Sequence, residues 1–325
     1  MVREYCPSVS QHVALPGALA RVRLRYLAPI AALQATANVL CRLPGVLGSN
    51  LADLTWIERS FLPGMEPAVV ATGSPRVLDV DDAMWMQNPL GAESAARLAR
   101  RMDAVIAGNQ FLAAWYSAHC KQVYVVPTAI DCERFKPREK PSGTPGSGGR
   151  PLTVGWTGSA GNLLYLEAIE RELERFLARR PDARLLVVCD RAPRFGLIPP
   201  GRVHFSAWSV ATEASAIGEM DIGIMPLPDT DWARGKCSFK MLQYMAAGIP
   251  AVVSLVGMNT DILAAHGCGI GIPGSDDWAD ALDSLYVDES LRLRLGSAGR
   301  AAAVAHYSTE VVSPRLADTF RDIAR

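Results

Sequence analysis

Apolar and polar positions sort most clearly in the second half of the chain. Short apolar runs at Leu152 to Trp156, Ala183 to Cys189, Val203 to Phe205, Asp221 to Met225 and Ala251 to Ser254 predict buried strands. Between them lie stretches of helical spacing, Leu163 to Arg179, Glu213 to Glu219 and Phe239 to Ala247. Strands that alternate with helices over such short connections predict a parallel sheet covered on both faces. That is a doubly wound α/β fold, whose ligands lie beyond the carboxyl ends of the strands.

The first half is less regular. Asp53 to Ile57, Arg76 to Val80, Ala104 to Ala107 and Val123 to Val126 predict strands, and Ala18 to Ala35 and Glu93 to Arg101 predict helices, a smaller version of the same fold. Between the halves runs PREKPSGTPGSGGRP, Pro137 to Pro151. Its Pro, Gly, Ser and charge bury too little apolar surface to order themselves, so it reads as a linker. The predicted division is a first domain over residues 1–137, a linker over 138–150, a second domain over 151–308 and a closing segment over 309–325. The closing segment is an amphipathic helix, Thr309 to Ile323, with Ser308 as its N-cap.

Composition agrees with two cores, since 325 residues are about twice a typical domain. The 33 basic residues balance 33 acidic ones, leaving no net field to hold a nucleic acid backbone. Seven cysteines, odd in number and without metal or disulfide spacing, predict a reducing compartment. No apolar run reaches the roughly 20 residues that span a bilayer, and Met1 to Pro16 lacks the order of a signal peptide, so a cytoplasmic location is expected. Ala18 to Leu40 carries Arg21, Arg23 and Arg25 at its front, which would suit peripheral contact with anionic lipid at the inner membrane face. Packing of that face into the core is the more ordinary fate.

Two motifs carry chemistry. In VGWTGSAGN, Val154 to Asn162, a strand runs into a Gly- and Ser-rich turn and then a helix. Glycines let a ligand approach the backbone and a helix N-terminus offers unpaired N–H groups, which makes Gly158, Ser159, Gly161 and Asn162 a candidate diphosphate cradle. Strand-to-helix turns also take glycine for steric reasons alone. Gly155, Gly158 and Gly161 are evenly spaced, unlike a G-x-G-x-x-G fingerprint, yet Asp190 ends the next strand where a ribose would bind. An NAD-dependent oxidoreductase is therefore a weak alternative.

The second motif is DIGIMPLPDTDWARGKCSFKMLQYMAAGIPAVVS, Asp221 to Ser254, a strand, a polar loop, a helix and a further strand. Arg234, Lys236, Ser238 and Lys240 gather where the loop meets the helix N-terminus. A solvated face is the usual fate of such cations. Their place at the carboxyl edge of a parallel sheet favours phosphate contacts instead.

The PLPD loop, GKCSF and the following LQYMAAG and Pro resemble the donor-binding segment of family-four retaining glycosyltransferases of the GT-B fold, two Rossmann-like domains facing across a cleft. GWTGSAGN is similar to the first turn of the same family's C-terminal domain. RVRLRYLAPIAAL, VLDVDDAMW, MDAVIAGNQFLAAW and VYVVPTAIDCERF are weaker echoes in the family's order, so the resemblance covers nearly the whole chain. It implies transfer of a sugar, with retention, from a UDP-, GDP- or dTDP-linked donor to a sugar, lipid-linked or small-molecule acceptor held by the first domain. No dissociable cofactor and no metal are implied if Arg and Lys stabilise the diphosphate. The resemblance further implies that Trp208, Gln243, Pro228 and Asp229 contact the donor's base or sugar, and that the last helix packs back toward the first domain; for Trp208 a core or surface role is the more ordinary fate.

Two departures bear on activity. Where many relatives carry two glutamates eight positions apart, this chain has Gly235 and Gln243, and glutamine hydrogen-bonds without supplying a carboxylate. An Arg and Lys pair common after the first glycine turn is replaced by Ala160, Asn162 and Leu163. Arg234, Lys236 and Lys240 can return the positive charge; a non-catalytic nucleotide-sugar-binding partner is the alternative.

Asp79, Asp81 and Asp82 end a first-domain strand, where carboxylates suit acid–base chemistry or a metal. Alternation puts Asp79 and Asp81 on one face, with Asp81 the favoured catalytic carboxylate, and Asp82 on the other as a helix cap. The five histidines share no spacing that suggests a site, and Met225, Met241 and Met245 read as core.

Overall fold

A computed structural model of the chain describes residues 43–59, 66–86, 89–138 and 150–325. The expected helix at Ala18 to Ala35, with its arginines, and the linker residues 139–149 lie outside the described residues. Two parallel sheets organise the rest. The first contains β1 (Thr55–Glu58), β2 (Arg76–Val80), β3 (Ala104–Ala107) and β4 (Val123–Val125), paired in that order. The second contains β5 (Leu152–Thr157), β6 (Ala183–Cys189), β7 (Val203–Ala207), β8 (Ile222–Met225), β9 (Ala251–Ser254) and β10 (Gly269–Ile272). Its order is β10-β9-β8-β5-β6-β7, the doubly wound arrangement in which direction reverses between the first strand, β5, and the fourth, β8.

Period-two alternation decides which core each side chain joins. In β2 and β3, Val77, Ala104 and Ile106 face the closing helix Thr309–Ile323 and pack on Val312, Leu316 and Phe320. Leu78, Val80, Val105 and Ala107 face the opposite way into the main core. Strands buried on both sides read as continuous apolar runs, which is why the sequence predicts them well. In the second sheet, Val154, Trp156 and Val187 pack on Leu173 and Phe176 of helix Glu170–Arg179 and on Trp278 of helix Trp278–Val287. Each such side chain, fully buried, contributes about 1.5–3 kcal/mol. Helix Phe239–Ala246 covers the other face, and its Tyr244 hydroxyl donates to Ile224 O at 3.1 Å.

The structure revises the expected helix at Leu163 to Arg179. It divides into Leu163–Glu167 and Glu170–Arg179, preceded by a 3-10 turn at Ala160–Asn162. Ile169 sits at the break with φ −105° and buries its side chain in the core under the sheet. Ser308 occupies the expected N-cap position but makes no side-chain capping bond.

The two sheets meet along a tight seam. Asn109 caps helix Gln110–Ser117 through Oδ1 and turns its Nδ2 to the carbonyls of Gly235 and Lys236, at 3.2 and 3.1 Å. The Cys237 thiol donates to Asp81 O at 3.1 Å. A Cβ on Gly108 would stand 2.3 Å from that sulfur, so only glycine lets the loop sit this close.

Candidate active site

A cavity of about 340 Å³ opens beyond the carboxyl ends of β5, β6 and β7. The reversal of strand order beside β5 leaves a crevice there, because the flanking connections run to opposite faces of the sheet. Thr157, Gly158 and Ser159 extend from β5 to form one wall; Asp190 and Trp208 follow β6 and β7. Phe239, Lys240 and Gln243 come from helix Phe239–Ala246, and Glu213 opens helix Glu213–Gly218.

Lys240 and Gly158 meet at the inner end. A Cβ at Gly158 would lie 2.6 Å from the Trp156 ring and 2.9 Å from Lys240 Cε, so the bare backbone lets the lysine stem pass. The ammonium is 6.0 Å from the centre of the Trp156 ring. Burial, with the neighbouring Lys236 cation acting in the same direction and the Asp82 carboxylate opposing both, pulls the Lys240 pKa down to about 8. Among the described residues, no carboxylate lies within ion-pair distance of this ammonium; the nearby ion pairs engage Lys236 and Arg234 instead.

The helix bearing Lys240 starts uncapped. Ser238, at its N-cap, is left-handed (φ 54°, ψ 26°) and makes no capping bond; its hydroxyl donates instead to Asn259 Oδ1 at 2.7 Å. First-turn amides and the positive end of the helix dipole are therefore left for an anion. The glycine turn offers less than expected. The Gly158, Ala160 and Asn162 amides donate to Val188 O, Asp190 Oδ1 and Ser159 O at 3.0, 2.6 and 2.9 Å. Asp190, a candidate ribose ligand by position, thus fastens the turn.

Glu213 is a residue that the sequence did not single out. Its Oε2 takes the Arg134 guanidinium at 2.8 Å, and its Oε1 accepts from Trp208 Nε1 at 3.0 Å and Gln243 Nε2 at 2.9 Å. An acidic residue opening a helix reads locally as a favourable dipole partner, and nothing local shows that donors from three other segments converge on it.

Of the expected donor contacts, Gly158, Ser159, Trp208, Lys240 and Gln243 line one cavity. Arg234 is exposed and forks onto Asp229 at 2.7 and 3.0 Å. Lys236 pairs with Asp82 at 3.6 Å and lies over the Trp232 ring. Pro228, Asp229, Gly161, Asn162 and Ser238 lie outside the lining, Asn162 donating to Ser159 Oγ at 3.0 Å.

The three aspartates diverge rather than converge. Asp79 accepts from Trp56 Nε1 at 3.2 Å; burial outweighs that bond and leaves its carboxyl raised to about 6. Asp81 Oδ2 holds Arg59 at 2.6 Å, while its Oδ1 is buried with no partner among the described residues. Asp82, expected to cap a helix, spends its carboxylate on Lys236 across the seam. Among the described residues, no group of three or more His, Cys, Asp or Glu could hold a metal ion. Nor is any described helix long and apolar enough to cross a membrane.

Residues 152–288 match the family model described as glycosyl transferases group 1. No curated protein matches the chain significantly. Sucrose-phosphate synthase from Thermosynechococcus elongatus is similar with a TM-score of 0.65 at 16% identity, over 94% of this chain and 81% of that one. HepE of Anabaena, solved with UDP and glucose, is similar at 0.69 and 15%, over 87% of this chain and 81% of that one. WaaG, a glycosyltransferase involved in lipopolysaccharide biosynthesis, is similar at 0.62 and 15%, over 88% and 82%. The likeness establishes the fold, a GT-B arrangement of Rossmann-like domains.

Proposed function

We propose, from the premise that the second domain of this chain belongs to the group 1 glycosyl transferases, that the protein moves a sugar from a nucleoside-diphosphate donor to an acceptor hydroxyl, with retention at the anomeric carbon. One observation carries the reading: Lys240, a cation without a carboxylate partner among the described residues, and an uncapped helix N-terminus meet bare backbone at Gly158, in the crevice where this sheet order binds ligands. A departing diphosphate gains negative charge as the sugar–oxygen bond breaks. Fixed positive charge in a partly desolvated pocket stabilises that state more than the ground state. Lys240 and the helix dipole supply such charge without a metal.

Trp208, 43% exposed and bonded through its indole N–H to Glu213, presents a fixed ring on which a nucleobase can stack. The acceptor would enter from the first sheet, where Asp81 stands at the end of β2. A panel of UDP-, GDP- and dTDP-linked sugars, with NAD beside them, tests the reading by thermal shift, since bound ligand raises apparent stability by mass action. Stabilisation by a nucleotide sugar, followed by its turnover in the presence of a chelator, is expected. Stabilisation by NAD alone would overturn the reading, and tight donor binding with no turnover on any acceptor would point to a silent binding partner.

A further inference from the structure

We propose that Glu213 is a positioning residue that fixes the Gln243 side-chain amide as a hydrogen-bond acceptor for a hydroxyl of the bound nucleotide sugar. The inference rests on the function proposed above and assigns how that site reads the hydroxyl-bearing part of its donor.

Glu213 is 9% exposed, and its two side-chain oxygens accept from Arg134, Trp208 and Gln243, three donors that only acceptors can meet. Gln243, at 2.9 Å, must therefore present its NH2 group to Glu213 and turn its carbonyl oxygen away. Either end of a glutamine amide fits the same space, so without such a partner the orientation would be open. Among the described residues no donor bonds to Gln243 Oε1, yet this oxygen is not among the sealed polar atoms that lack partners. Since Gln243 lines the cavity, its oxygen opens there.

Phosphate oxygens at neutral pH carry no proton to donate, so this acceptor is useless to the diphosphate and suits a hydroxyl. The helix fixes the spacing. Gln243 follows Lys240 by three residues on the same face, about 4.5 Å along the axis. A ligand with its diphosphate at Lys240 thus extends its hydroxyls toward Gln243. Arg134 comes from the segment that follows β4, so the first domain's end holds the reading group in place.

Exchange of the two groups tests the proposal. In Gln243→Glu, two carboxylates face each other where an amide donated to a carboxylate, and in Glu213→Gln the facing amides no longer fix which end points to the cavity. Each single variant of the full chain should bind UDP, GDP or dTDP, whichever the parent binds, about tenfold more weakly in calorimetry, as for loss of one well-placed hydrogen bond. The exchanged pair, Glu213→Gln with Gln243→Glu, should return to within about threefold of the parent, because an amide and a carboxylate again face each other. An exchanged pair no better than either single variant would overturn the proposal. Gln243→Leu, which keeps the bulk and leaves Arg134 and Trp208 on Glu213, covers the case of an exchanged pair that does not fold. It should lose about tenfold in affinity, and unchanged affinity would likewise overturn the proposal. A parent that binds no nucleoside diphosphate would instead overturn the proposed function.

Discussion

Lys240 should cost the empty protein stability that the site needs for binding. Its pKa lies near 8 in the folded chain against 10.5 for a free lysine, chiefly through burial. The unfolded chain therefore binds the proton more tightly. Above pH 10.5 both states are neutral and there is no penalty. As pH falls toward 8 the unfolded state protonates first and the native state loses ground. Below 8 the loss is complete, about 3 kcal/mol at 1.36 kcal/mol per unit, an upper bound because the side chain keeps some exposure. Lys240→Met keeps the length and removes the charge, so at pH 7 the variant should melt higher than the parent, by up to about 6–12 °C at roughly 2–4 °C per kcal/mol. The gap should close as pH approaches 10.5. The same variant should bind nucleoside diphosphate about 30- to 700-fold more weakly, or about 2–4 kcal/mol, the loss expected of one preorganised charge partner. Differential scanning calorimetry at pH 7 and pH 10, with ligand titrations at pH 7, reads both effects. A variant no more stable than its parent at pH 7, or more stable by the same margin at both pH values, would refute the reasoning about burial.

Gly158→Ala places a methyl against the Trp156 ring and Lys240 Cε, at 2.6 and 2.9 Å, so lysine or backbone must shift and donor affinity should fall at least about tenfold in calorimetry. Asp79→Asn should stabilise the protein above pH 6 and not below pH 4 in urea titrations: the native carboxyl titrates near 6 rather than 3.8, so ionisation costs the folded state up to about 3 kcal/mol once pH passes 6. A gain of equal size at pH 4 would count against that assignment. Asp81→Asn keeps shape and removes charge on the acceptor side, so donor binding should hold while transfer falls about 100-fold or more in a turnover assay, the lower range for a positioned acid–base group. Transfer at the parental rate would make Asp81 structural.

The strands were legible because burial on both faces leaves no polar alternation to confuse them. Arg76–Val80, Ala104–Ala107, Ala183–Cys189 and Ala251–Ser254 stand at the expected bounds. β10 is absent from the predicted strands: GIGI lies half-buried at the sheet edge, and interior glycines weaken a strand's apolar signature. The cavity's composition was legible where one segment supplies it. Gly158, Lys240 and Gln243 lie in two local motifs whose strand-to-helix turns had to face the same sheet edge. Glu213 was not legible, since its partners Arg134 and Gln243 are 79 and 30 residues away and meet it only through sheet order. Asp82 misled for a related reason. Its local setting suits a cap, but the seam brings Lys236 to it from the other domain, and a cross-domain partner leaves no trace in spacing.

That seam also ranks the cations that RGKCSFK, residues 234–240, gathers. Asn109 and Cys237 draw the loop 235–237 over the end of β2, which delivers Lys236 to Asp82. Arg234, on the outer side of the same loop, forks onto Asp229 in open solvent, where such a pair is worth little and is screened by salt. A ligand anion that reached Lys236 would have to displace a partly buried carboxylate and leave it unpaired, so its attraction to Lys236 is offset by that loss. One that reached Arg234 would meet two aspartates before it met the guanidinium. Lys240 involves no such exchange. Its charge is already desolvated, an anion would relieve its burial, and it stands beside the uncapped helix start. The order in which these side chains should matter to a diphosphate is therefore Lys240, then Lys236, then Arg234, set by what each must give up rather than by how near each lies in sequence to the turn.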